Sequence, residues 1–262
     1  MMETFVRTPV TIASSVIAII AIFAWLYGFY MVYSNYRQNQ KKQSLYFSLG
    51  LLFGGLAIIL LALELTTLQL FDGGTQWGAD YVAKPVALGL DSGQLGGSFS
   101  YLAVIVSAFA ILMFDAFSLS FFENKMKYLI IPALLLLGYV VAYFYPTLPL
   151  IQLNSTGTDY NPYHTGSTDT LLVALFMFPL FFPALVFLLS AFQTRSMKYN
   201  YRRSLVLCLL QILIGIGYTI EIVGGPDYYG VIGRLCILFY PYFTWNVLQG
   251  SRFVKKLLGA PS

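Results

Sequence analysis

Long apolar runs separated by short polar clusters repeat from one end of the chain to the other. The apolar stretch "VTIASSVIAIIAIFAWLYGFYMVY", 10–33, gives way to the polar "SNYRQNQKKQS", 34–44, and the alternation then continues to the C-terminus. About 20 apolar residues in a row are what an α-helix needs to cross the hydrocarbon of a bilayer. The runs and the breakers between them predict seven transmembrane helices, at about 8–35, 44–70, 98–122, 128–146, 169–193, 203–224 and 228–250. The tightest break is "GGPD", 224–227, whose glycines, proline and aspartate favour a turn over an uninterrupted helix. The expected fold class is an all-α integral membrane protein, one seven-helix bundle over 1–262.

Composition agrees with that reading: 58% of the 262 residues are hydrophobic and only 10% are charged. The first apolar run is too long for the core of a cleaved signal peptide and reads as the first membrane helix. Cys208 and Cys236 both fall inside predicted helices, so they are read as packing residues and no disulfide framework is expected.

The distribution of charge orients the bundle. Arg37, Lys41, Lys42, Lys125, Lys127, Arg195, Lys198, Arg202, Arg203, Arg252, Lys255 and Lys256 all fall on one side of the predicted helices. The positive-inside rule assigns that side to the cytoplasm, which puts the N-terminus outside and the C-terminus inside. Asp72, Asp80, Asp91, Asp159, Asp169 and Asp227 fall on the other side, with the sequon at Asn154 as a glycosylation candidate there. The stretch 71–97 is long for a bare connection and is expected to fold as a lid. Tyr27, Tyr30, Tyr33 and Tyr36, at every third position of the first helix, read as an interfacial belt with helix packing.

Seven helices with the N-terminus outside allow a parallel 3+1+3 repeat. "QKKQSLYFSL" before the second helix and "NYRRSLVLCL" before the sixth both place positive charge ahead of Ser-Leu, at Ser44-Leu45 and Ser204-Leu205.

Ionisable groups inside a membrane helix are costly, so they are expected to face the bundle interior, a partner or water. Glu64, Asp115, Glu221 and Arg234 are the candidates. The sixth and seventh helices run in opposite directions and side chains lean toward their own N-terminus, so Glu221 and Arg234 point toward each other. Two readings stay open for them: an ion-pair lock between helices, or an outer-half binding or proton-coupled site that Glu64 completes. Asp115 reads either as a proton or cation acceptor or as an anchor hydrogen-bonded to Ser118 or to Tyr or Trp groups. Pro179, Pro183 and Pro241 each remove a helix hydrogen bond and are hinge candidates, with static kinks as the alternative.

What the chain lacks excludes several functions. His164 is the only histidine and lies in an outer loop, so no bis-histidine haem and no zinc hydrolase site is expected, nor any metal or cofactor. Every lysine lies in a loop or tail, which leaves retinal without a Schiff-base partner inside the bundle. The protein is expected to be non-enzymatic.

In topology alone the chain resembles seven-helix receptor-type sensors, including the input modules of some sensor kinases, and in the 3+1+3 order it is similar to the SWEET sugar transporters. The expected function is sensor- or receptor-like, with an outer-half polar site. The alternatives are an accessory subunit of a larger membrane complex and a small-solute or proton-coupled transporter. Expected partners are the lipid bilayer of the cell membrane, other membrane subunits, and a cytoplasmic partner or anionic headgroups at the basic inner loops. No nucleic-acid partner is expected.

Overall fold

The computed structural model describes residues 9–71, 92–144, 166–224 and 228–259, and among them the architecture is helical throughout. The chain forms α1 (Pro9–Asn39), α2 (Lys42–Phe71), α3 (Ser92–Leu119), a 3-10 turn (Met126–Leu129), α4 (Ile130–Phe144), α5 (Gly166–Gln193), α6 (Lys198–Gly224), α7 (Tyr228–Gln249) and the short α8 (Arg252–Leu258). Among the described residues six helical segments are long and apolar enough to cross a membrane: Val16–Asn39, Lys42–Leu63, Leu102–Leu119, Ala174–Gln193, Lys198–Ile220 and Val231–Gln249. The remaining predicted span appears as α4, whose 15 described residues rise about 22 Å.

The helices pack as a closed ring. α1 lies against α2 and α7, α2 against α3, α3 against α5, α5 against α6, and α6 against α7. The ring skips one member of the sequence order: α4 packs against α3 and α5 from outside it. Its outward residues Ile130, Leu134 and Leu137 are exposed, as suits a helix on the lipid side.

Small residues make the close approaches. A Cβ on Gly50 would lie 2.7 Å from the Phe114 ring, and one on Gly54 would overlap the ring of Trp25. α2 thus offers a glycine-lined groove into which aromatic side chains of α1 and α3 sink. Dispersion contacts of this kind carry helix association in a membrane, where lipid chains are as apolar as the side chains.

Several helix limits depart from the expected ones: α1 runs on to Asn39, α3 already begins at Ser92 and α5 at Gly166. α3 stops at Leu119, before a turn in which Asn124 takes a φ of 58°, a conformation asparagine tolerates better than most residues. α6 begins at Lys198, so Arg202 and Arg203 belong to a helix and not to a loop.

The C-terminal end of α7 leads into an element that the hydropathy pattern does not reveal. After α7 the backbone turns at Gly250 (φ 61°), and the Ser251 hydroxyl accepts a 3.4 Å hydrogen bond from the Val254 N–H, capping α8. Val254 and Leu258 are buried while Lys255 and Lys256 are exposed, so α8 is amphipathic. Arg203 donates to the Val247 and Leu248 carbonyls at 3.2 and 2.6 Å, and Arg202 donates to the Leu258 carbonyl at 3.2 Å. These carbonyls belong to last turns of helices, which have no intrahelical donors.

Candidate functional site

The centre of the ring is filled by aromatic side chains drawn from several walls. Trp25 of α1 stacks on Tyr240 of α7 with centroids 6.0 Å apart, and meets Phe114 of α3 edge-on at 6.1 Å. Phe114 and Tyr240 make a T-shaped contact at 5.5 Å, and Phe47 of α2 lies 5.9 Å from Phe114. Phe117 of α3 continues the cluster to Phe187 of α5 at 5.8 Å. Edge-to-face and offset arrangements such as these are favoured by the ring quadrupoles.

Polar atoms in this core are few and most are matched. Gln211 of α6, 1% exposed, donates from Nε2 to the Tyr240 hydroxyl at 2.6 Å. The Trp25 indole N–H donates to the Ile237 carbonyl of α7 at 2.9 Å. That carbonyl would ordinarily accept the N–H of residue 241, and Pro241 has none. Gly28 of α1 makes room for the ring: a Cβ there would lie 3.2 Å from the Pro241 Cβ. The freed carbonyl, the donor and the proline thus form one joint between α1 and α7. Of the hinge candidates Pro241 is held in this way, while Pro179 and Pro183 are buried within α5.

The exceptions among the described residues are the Thr244 hydroxyl, the Trp245 indole N–H and the Asp115 carboxyl group, of which Asp115 alone can carry a charge. Asp115 lies in α3 next to Phe114, is 0% exposed, and neither carboxyl oxygen has a hydrogen-bond partner among the described residues. The Ser118 hydroxyl, a named candidate for an anchor, donates at 2.8 Å to the main-chain carbonyl of Asp115 and not to its carboxyl group. A buried carboxyl without a partner is costly in either protonation state and far more so when ionised.

The outer candidates are only partly visible. Arg234 of α7 is 7% exposed and engaged with a neighbour. The side chains of Glu64 and Glu221, and all of Asn154, lie outside the described residues. α6 and α7 are neighbours, as a Glu221–Arg234 pair requires. α2 and α6 occupy opposite positions in the ring, so Glu64 and Glu221 start from facing walls. Among the described residues no three His, Cys, Asp or Glu side chains gather as a metal cage would need.

The Trp25–Ile237 joint and the Gln211–Tyr240 pair escaped the sequence reading. Pro241 signals a free carbonyl four residues earlier, and nothing local says which helix will supply the donor. No family model, curated protein or solved structure matches this chain. Its class therefore rests on the fold: an all-helical integral membrane bundle with six apolar crossing helices among the described residues.

Proposed function

We propose that this chain is a non-enzymatic, sensor-like membrane protein in which Asp115 couples its charge state to the packing of the bundle. The observation that carries the reading is the unpartnered carboxyl in a closed aromatic core, beside Phe114 and within one residue of the Trp25–Phe114–Tyr240 contacts. The chain neighbour of Asp115, Phe114, touches rings from α1, α2 and α7. Ligand or proton arrival at Asp115 would have to shift these rings, and the shift would reach α1 and α7 through Trp25. Arg234, buried in the outer half of α7, is the second polar element of the sensor.

The reading includes seven spans, with α4 as the fourth, the N-terminus outside and the C-terminus in the cytoplasm. Support comes from the basic residues gathered at one end of the helices. The 3+1+3 repeat draws support from packing: α1·α2, α2·α3 and α3·α5 correspond to α5·α6, α6·α7 and α7·α1 under it. It draws more from "ILMFDAFS", 111–118, against "ILFYPYFT", 237–244. This alignment equates Phe114 with Tyr240, two rings that touch at the centre, as equivalent residues beside a two-fold axis do.

The test is tryptophan fluorescence of the protein in lipid nanodiscs, titrated with acid. Trp25 is buried against Phe114, so a change at Asp115 is expected to shift its emission, and Asp115→Asn is expected to abolish the shift while leaving the fold intact. Identical titrations for the wild type and Asp115→Asn would count against the reading.

A further inference from the structure

Tyrosine hydroxyls are usually found at the edges of a membrane, where water can reach them. Two tyrosines of this bundle stand elsewhere. Tyr27 of α1 and Tyr242 of α7 are 65% and 67% exposed, on the outer faces of neighbouring helices. Neither hydroxyl has a hydrogen-bond partner among the described residues.

Their depth follows from the chain. Tyr27 is at the middle of the crossing segment Val16–Asn39, and Tyr242 is within a turn of the middle of Val231–Gln249. Tyr27 also stands ten residues, about 15 Å, before Arg37, which is half the thickness of a hydrocarbon core of roughly 30 Å. The two residues share a level, because Trp25 meets Ile237 and Tyr240 while Gly28 meets Pro241. Those paired contacts also show that α1 and α7 run parallel. Facing acyl chains, both hydroxyls would be left without any partner, a state the bilayer interior penalises.

We propose that the outer face of α1 and α7 is an interface with a second copy of this chain, joined by reciprocal Tyr27–Tyr242 hydrogen bonds. A two-fold axis along the membrane normal preserves depth, so it brings a residue of one copy opposite residues of equal depth in the other. Tyr27 and Tyr242 meet that condition for each other. A hydroxyl donates and accepts, so each cross-pair satisfies itself without any further group. Phe23 and Tyr30 on α1 and Phe239 and Phe243 on α7 are exposed beside them and supply the aromatic contact area that interfaces favour. α1 is also the least buried of the six crossing helices, which leaves the most room for a neighbour.

The experiment uses the full chain with Cys208→Ala and Cys236→Ala, reconstituted in liposomes. Tyr27→Cys protein mixed with Tyr242→Cys protein is expected to form a disulfide-linked dimer on mild oxidation, whereas Leu189→Cys on the exposed face of α5 is not. Energy transfer between labelled copies, followed as lipid is added, is expected to show dimerisation weakened about tenfold in the double variant Tyr27→Phe, Tyr242→Phe, at about threefold for each of the two cross-pairs. Both tyrosines are exposed, so the phenylalanine variants should fold. A monomer at every dilution, cross-linking as strong at Leu189 as at the tyrosine pair, unchanged association of the double variant, or a different protein bound stoichiometrically over this face would each overturn the proposal.

Discussion

The indole N–H of Trp25 occupies the carbonyl of Ile237 that Pro241 leaves without its helical donor, at 2.9 Å. The kink-forming residue of α7 is thereby tied to α1, and the proline behaves as part of a joint.

Trp25→Phe keeps a large ring and deletes the donor, and is expected to destabilise the bundle by about 1 kcal/mol. In a Pro241→Ala background residue 241 can again donate to Ile237, so the same Trp25→Phe change should cost less. Unfolding of the four proteins of this cycle in mixed micelles measures the difference, and equal costs in both backgrounds would remove the link between Trp25 and the proline.

Glycines divide sharply by what surrounds them. A methyl group on Gly54 would overlap the Trp25 ring, whereas on Gly138 of α4 it would meet only the Leu175 side chain at 3.9 Å. Gly54→Ala is expected to lower stability by about 1–3 kcal/mol through overpacking. Gly138→Ala should be neutral or mildly stabilising, since alanine is the better helix former. Thermal inactivation curves of the two variants, compared with the parent, separate these outcomes.

The Gln211–Tyr240 hydrogen bond predicts an asymmetry. Tyr240→Phe removes the acceptor and strands the buried Gln211 amide, at a cost of about 1–3 kcal/mol. Combining it with Gln211→Leu removes both polar partners and should cost less than the sum of the two single changes. Additive losses in chemical unfolding would mean that the pair contributes nothing as a pair.

Hydropathy carries the crossing helices because spanning a bilayer imposes a length and a composition that any window of the chain displays. Six of the predicted spans return as long apolar helices with limits shifted by a few residues. Packing order was less accessible, since nothing in the sequence of α4 says that it leaves the ring and lets α3 touch α5. Asp115 was visible as an intramembrane acid, yet its isolation depends on what surrounds it from other helices. Ser118, three residues away, suggested a partner and turned out to bond the backbone instead. Tyr27 and Tyr30 share a spacing that fits a belt, and the structure adds that both side chains face outward from the bundle.

The arginines at the start of α6 alter the meaning of the basic inner surface. Arg203 spends its guanidinium on the last carbonyls of α7, and Arg202 reaches the end of α8. Basic side chains that hydropathy counts as surface charge thus act as staples between helix ends. The basic charge left uncommitted by these contacts is then a smaller, differently placed set, led by the exposed Lys255 and Lys256 on the open side of the terminal helix.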